Sequence, residues 1–525
     1  MALDDHDNRH PLFVKEPGLS RSFHQRRALA GAPVVVHSLQ VGPRNVWGGA
    51  YGTTPGSRPI SSRQLIFAGR HGGCSWGRPM KTQPLFLTLV LGLAACTGPE
   101  SASGPGSAGS DPASAGSPGP KDPAPGTKPT SPDFAAGVTD FRSIPETQVT
   151  LPPAGSSFVD PDFHTKIVRL TNAHDLGASG CVHSYSTVPA FNVDSSRILV
   201  HCGEPRLYTF DKATDRPTYI GTLTEGQAVA VNWESAYWSG VSPNILYVLG
   251  GTPGTRQTKL YRVDVTRHDA SRFTVVQDFA GVWPGKDSWD LWQLSHSEDD
   301  EVFTFHARDT AGRYYKTGAY LRSQDRLVSF PDENFVVDET YVEKSGRTIN
   351  VIGKDQDSFT VKVWNPRDNL IVTTIPNTAE SKMGGHYDLG ATYWVNGDRY
   401  QSGSVVRTWT GVTAPRNVLQ YKTSATGDIN WAIADHISMR NADESYFLVS
   451  TYGETLPGWP PFQHEILLVK TDGSGFSRMA HTRSAGVADS YWSEPRAVID
   501  RSGRYVVFTS DHGTSQNDVY ILKLP

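Results

Sequence analysis

Residues Pro495 to Gly513 read PRAVIDRSGRYVVFTSDHG. A short apolar run ends at Ile499, turn residues fill Asp500 to Gly503, and an aromatic and β-branched run resumes at Tyr505. That is a hairpin, because Asp, Ser and Gly accept the tight turn that bulkier residues resist. The phrase recurs upstream as PAFNVDSSRILVHC from Pro189, AYWSGVSPNILYVLGG from Ala236 and LWQLSHSEDDEVFTFHA from Leu291. It returns as ETYVEKSGRTINVIGK from Glu339, YDLGATYWVNGDRYQSG from Tyr387 and ISMRNADESYFLVSTYG from Ile437. Seven phrases spaced by about 50 residues are the pattern of propeller blades.

Each blade also has a second half. LYTFDKATDRPTYIGTL from Leu207, LYRVDVTRHDASRFTVVQDF from Leu260, VKVWNPRDNLIVTTIP from Val361 and ILLVKTDGSGFSRMAHT from Ile466 read as strand, polar turn, strand. Four antiparallel strands per blade follow. The last blade ends in DVYILKLP without an outer strand, while HTKIVRLTNAH from His164 stands alone before the first blade. Pairing this segment with VYILKL closes the ring and removes exposed sheet edges. The expected fold is all-β, a single seven-bladed β-propeller over residues 137–525 closed by an N-terminal outer strand. Six or eight blades stay open, because the first and fourth phrases are weak.

The phrase DRSGRYVVFTSDHG, followed by DVYILKL, resembles the Ser-Pro-Asp-Gly repeats of the WD40-like propellers of the periplasmic TolB type. Similar repeats occur in the propeller domains of prolyl oligopeptidases and in oligogalacturonate lyases. The resemblance implies a fold superfamily, which hosts several activities. Residues 137–525 hold no Gly-x-Ser-x-Gly elbow, and no separate α/β domain follows the repeats, which argues against a peptidase. The chain also lacks a Walker loop, a dinucleotide fingerprint set between a strand and a helix, and a Cys-x-x-Cys pair.

Upstream, Met80 to Cys96 reads MKTQPLFLTLVLGLAAC. One Lys, a short apolar run and small residues before a cysteine make a secretory signal, too short to span a bilayer. Leu-Ala-Ala-Cys resembles the bacterial lipobox, which implies lipidation of Cys96 and a membrane anchor without a transmembrane helix. Thr97 follows instead of Asp, and by resemblance to enteric lipoproteins this implies the outer membrane. The expected layout is a mis-set start or disordered extension over residues 1–79, the signal over 80–95 and a Gly/Ser/Pro-rich tether over 96–136. Export makes a disulfide between Cys181 and Cys202 the favoured reading, with two buried thiols as the alternative. Lys plus Arg number 49 against 53 Asp plus Glu, with no basic stripe, so nucleic acid is not an expected partner.

In a propeller, residues just before each phrase come from every blade to one mouth of the channel. Here they are His183 and Tyr185; Trp233 and Glu234; Asp287, Trp289 and Asp290; Asp338 and Glu339; His386 and Asp388; Asp435 and His436; Tyr491, Trp492 and Glu494. Trp292, Tyr387 and Trp431 lie close by in sequence. Aromatic walls over a polar floor suit sugar rings, which stack on aromatics and hydrogen-bond through their hydroxyls. His386 and His436, with His183 or Glu494, are the candidate ligands for a divalent metal such as Mn, Zn, Fe or Ca. Oligogalacturonate lyases hold a metal on inner-strand histidines, so the resemblance implies β-elimination with the metal as Lewis acid. Asp388, Asp435 or a Lys or Arg are then alternative bases. The competing reading is that these polar groups tie neighbouring blades together. The leading functional expectation is an envelope lipoprotein binding a glycan or protein partner at the mouth. The alternatives are a metal-dependent uronate lyase and a TolB-like scaffold of an envelope complex.

Overall fold

The computed structural model describes residues 131–525. Residues 284–288, 310–312, 356–357, 384, 399 and 409–414, and the side chains of 232–234, 315, 355, 358–359 and 407–408, are not described. The signal, Cys96, most of the tether, Asp287 and the side chains of Trp233 and Glu234 therefore lie outside the described residues.

The repeated phrases become seven antiparallel sheets, so the ring has seven blades and not six or eight. Blades two to six have four strands each, in chain order from the channel outwards. Blade six is representative, with Ile433–Ser438 innermost, then Tyr446–Gly453, Glu465–Lys470 and Phe476–His481. Blade one has three full strands, and its inner position is held by isolated bridges, Val182 to His201 and Phe191 to Ile198. This is the weak first phrase, where Pro189 and the Ser-rich approach interrupt the ladder.

The ring closes as the orphan segment implied. Lys166–Arg169 pairs antiparallel with Asp518–Lys523, in the register Ile167 to Leu522 and Val168 to Ile521. The structure adds a fifth strand to this blade. Ser157–Val159 folds back on Lys166–Arg169 and covers the edge left by closure.

Buried side chains fall into seven clusters, one at each interface between neighbouring blades. Val507, Val519 and Ile521 of blade seven pack on Ile198, Val200 and Phe210 of blade one, for example, and Leu448 and Ile466 of blade six pack on Val506 and Phe508 of blade seven. The core is thus a ring of wedges, and removing one blade exposes two of them. Cys181 and Cys202 form a disulfide within the wedge between blades seven and one.

The turn residues that betrayed the repeat also latch the blades. Asp500 accepts the backbone N–H groups of Arg504 and Tyr505 and the hydroxyl of Ser195 from blade one. Asp300 likewise accepts from Ser239 and Gly240 of blade two. Gly503 holds φ of 70°, and a Cβ there would lie 2.0 Å from the Tyr446 hydroxyl of blade six, so only glycine fits.

An N-terminal strap precedes the closing strand. Phe134 meets Tyr446 edge-on, Val138 bridges to Arg478, and Phe141 packs between Phe462 and Phe476. The last residues assigned to the tether therefore pack on the ring as well.

Candidate functional site

Each inner strand runs from one mouth of the channel to the other, so residues at the strand starts share a mouth. Contacts between non-adjacent blades locate the axis. The Tyr185 ring of blade one lies 5.4 Å from the His436 ring of blade six and 6.0 Å from His386 of blade five. His386 stacks on His436 with centroids 4.0 Å apart, and His436 stacks on Tyr452 at 4.9 Å. The pairing of Ala434 with Tyr452 puts that tyrosine beside the inner strand. Nδ1 of His386 is 2.6 Å from the Asp435 carbonyl, which can only accept, so Nδ1 carries the proton.

Blade seven contributes a lip. The Asp489 carboxylate accepts the N–H groups of Tyr491 and Trp492, and this turn presents both rings at the mouth. Glu494 reaches to 3.6 Å from Nε2 of His436. Beneath the lip lies Arg496, only 1 % exposed, with φ of 42°. Its guanidinium sits 4.3 Å from the Tyr491 ring centroid and 5.3 Å from that of Trp492. Nη2 donates to the Tyr491 carbonyl and to Glu494, while Nε and Nη1 have no hydrogen-bond partner among the described residues. A buried donor left this way costs about 1–3 kcal/mol, and a left-handed non-glycine residue is strained as well.

Burial sets the protonation of the surrounding groups. Asp435 accepts from Tyr421 but is pushed up to about 6, because desolvation outweighs that hydrogen bond. The Tyr185 and Tyr452 hydroxyls are pushed well above the ordinary phenol range by burial, and both remain neutral donors.

The structure therefore brings together Tyr185, His386, Asp435, His436, Tyr491, Trp492 and Glu494. It places other candidates elsewhere. His183 is fully buried, with Nε2 3.2 Å from the Pro495 carbonyl, and burial lowers it to about 3. Trp289 is packed against Trp283 in the wedge between blades two and three, because its ring follows the apolar face of its strand. Asp290 accepts the backbone N–H of Gln257. Asp388 is buried in an ion pair with Arg440. Arg496 and Tyr452 are the residues that sequence reasoning missed. Arg496 stands two places after Glu494 in YWSEPRA, where an aromatic pair beside a charge was the available signal. Tyr452 ends a second strand, so only strand register reveals it.

A metal requires donor atoms aimed at one centre. Among the described residues no three His, Cys, Asp or Glu side chains do so. His386 and His436 meet face to face instead, at an interplanar angle of 25°. The donor set does not fit a metal in this arrangement. The mouth can instead stack a ring on Tyr491 and Trp492 and accept hydroxyls through Glu494 and imidazole, above the enclosed positive charge of Arg496.

No family model matches the sequence, and no curated protein does either. Solved structures do match. One is an oligogalacturonate lyase in complex with manganese, 14 % identical, with a TM-score of 0.50 over 74 % of this chain and 99 % of that one. A second is an oligogalacturonate lyase from Vibrio parahaemolyticus, 14 % identical, with a TM-score of 0.49 over 70 % of this chain and 96 % of that one. A third is the Swd1 β-propeller domain from Myceliophteria thermophila, 11 % identical, with a TM-score of 0.37 over 65 % and 97 %. At such identities the likeness is one of fold, and the chain shares a propeller architecture with the manganese-bound oligogalacturonate lyase structure and no more.

Proposed function

We propose that this propeller is a lipid-anchored envelope protein that binds an acidic carbohydrate at the channel mouth. The observation that carries the reading is Arg496, whose buried Nε and Nη1 lack partners beneath Tyr491 and Trp492. A fixed cation with two donors unpartnered among the described residues attracts a carboxylate, and the adjacent rings match the apolar face of a sugar. Glu494 and the imidazoles supply acceptors for hydroxyls, which a sugar offers and a simple anion does not.

The test is calorimetric titration of the full chain with galacturonate oligomers and with their neutral galactose counterparts. The acidic oligomer should bind and the neutral one should bind at least 10-fold more weakly. Arg496→Lys should cut acidic binding about 10-fold, since a compact, strongly hydrated ammonium lacks the planar donor set that stacks beneath the two rings. Trp492→Ala should weaken binding without loss of fold, and it keeps the test alive if the Arg496 variant does not fold. Equal binding of both sugars, or of neither, overturns the reading.

A second reading is a uronate lyase. It is favoured by the grouping of His386, His436 and Glu494 beside Asp435, and by a fold neighbour whose crystal held manganese. Incubation of the full chain with polygalacturonate would then release unsaturated products absorbing in the ultraviolet, and the His386→Ala, His436→Ala double variant would not. Elemental analysis of both proteins, after a check of folding, separates a bound metal from an imidazole cluster without one.

A further inference from the structure

The lip that carries Tyr491, Trp492, Glu494 and Arg496 belongs to the link between blades six and seven, residues 482–497. Two groups hold this link. Asp511 of blade seven accepts the backbone N–H groups of Ala485, Val487 and Ala488, at distances of 2.8, 2.5 and 3.2 Å. Arg483, only 3 % exposed and with φ of 56°, holds the other end by reaching into the N-terminal strap. Its Nη2 lies 3.1 Å from Asp160 and 3.5 Å from Asp162, and its Nη1 donates to the Thr147 carbonyl and lies 4.0 Å from Glu146. Thr147 in turn donates twice to Asp162. One guanidinium thus faces three carboxylates of the strap, with a fourth, Asp511, close enough to act on Glu146.

Other titratable groups line the same contact. His481 ends the outer strand of blade six and lies 3.6 Å from Asp162. His464 comes from the preceding loop of that blade, and His512 from the loop of blade seven beside Asp511. Burial holds all three imidazoles neutral, His481 and His512 at about 4 and His464 below its ordinary value. Glu146 is the exception. Burial first, then the Asp160, Asp162 and Asp511 charges, raise it to about 7 against the pull of Arg483.

We propose that residues 140–163 are a strap that latches the lip of the channel mouth through Arg483, with Glu146 as a catch released by deprotonation. The proposal rests on the reading of the mouth as the ligand site and concerns its regulation. When Glu146 is neutral, Arg483 is shared by Asp160 and Asp162. When Glu146 ionises, a further negative charge enters a cluster that holds a single guanidinium, and the strap contact loosens. The strap is also the segment that joins the folded ring to the tether, so a change in its grip passes directly to Tyr491, Trp492 and Arg496.

Hydrogen exchange of the full chain, followed by mass spectrometry at pH 6 and pH 8 and corrected for intrinsic exchange, tests this without a ligand. Protection of residues 140–163 and 485–496 should fall together by several-fold at pH 8, and Glu146→Gln should keep it high at both values. A fall that is the same in Glu146→Gln, or no fall in the parent, overturns the latch. Should that variant not fold, Asp162→Asn serves in its place and should move the midpoint to lower pH. Titration with a galacturonate oligomer at both pH values separates the two claims. Coupled exchange without sugar binding defeats the reading of the mouth and leaves the latch, whereas sugar binding with pH-independent exchange defeats the latch alone.

Discussion

Arg440 and Arg496 are both buried arginines near the channel axis, one just after an inner strand and one just before the next. Arg440 has every nitrogen engaged. Nε and Nη2 donate to Asp388, Nη2 also to the Leu389 carbonyl, and Nη1 crosses the ring to the Tyr237 hydroxyl of blade two. Arg496 uses Nη2 alone and is strained at its backbone. Both arise from the same repeat, at opposite ends of neighbouring inner strands. A polar group that serves the fold finds its partners inside the fold, while one that serves a ligand keeps some of its valence for it.

Four experiments bear on that contrast. Truncation after Asp511 removes Asp518–Lys523, which pairs on both sides within blade seven. Both channel ends should be lost at once, seen as a missing cooperative melt in circular dichroism; a folded remnant would mean the ring does not depend on closure. Next comes Arg440→Ala, which leaves Asp388 buried without its counter-charge and should cost about 3–5 kcal/mol in urea denaturation. Arg496→Ala should cost less than Arg440→Ala while abolishing binding, since it removes a group that leaves no buried carboxylate uncompensated. Equal losses at the two arginines would break the comparison. Replacing Cys181 and Cys202 by Ser opens a loop with a separation of 21 residues. The entropy of that loop predicts a cost of about 3 kcal/mol, measured the same way.

The pH dependence at Asp435 sharpens the picture further. Its carboxyl is raised in the folded state to about 6 from 3.8. Between these values the native protein holds a proton that the unfolded chain has released, so stability falls as pH rises through that window. The loss is of order 2–3 kcal/mol, at 1.36 kcal/mol per unit. Asp435→Asn should flatten the curve of stability against pH between 4 and 6, and an unchanged curve would place its origin elsewhere.

Much of the fold was legible because hairpin chemistry is local. Asp500, Ser502 and Gly503 mark a turn whether or not the rest of the chain is known, and His164 to His174 is conspicuous as a strand without a blade. The extra strand Ser157–Val159 was not legible, since three residues carry no period. At the mouth, position before an inner strand drew attention to His386, His436, Tyr491, Trp492 and Glu494, which the structure brings together. It also drew in Trp289 and Asp388, which have similar chemistry and sit at similar positions. Strand twist turns those two into the wedges, where Trp283 and Arg440 meet them.

The amino-acid sequence by itself determined the blade repeat, the turns that latch one blade to the next and the strand that closes the ring. Each depends on a few neighbouring residues and on a period of two along a strand. Only the tertiary structure decided which side chains share the axis. Tyr185 meets His436 across some 250 residues of chain, Tyr452 arrives through strand register, and Arg496 keeps two donors unmatched among the described residues. Those relations follow from closing seven twisted sheets into a ring, a constraint that no short stretch of sequence contains.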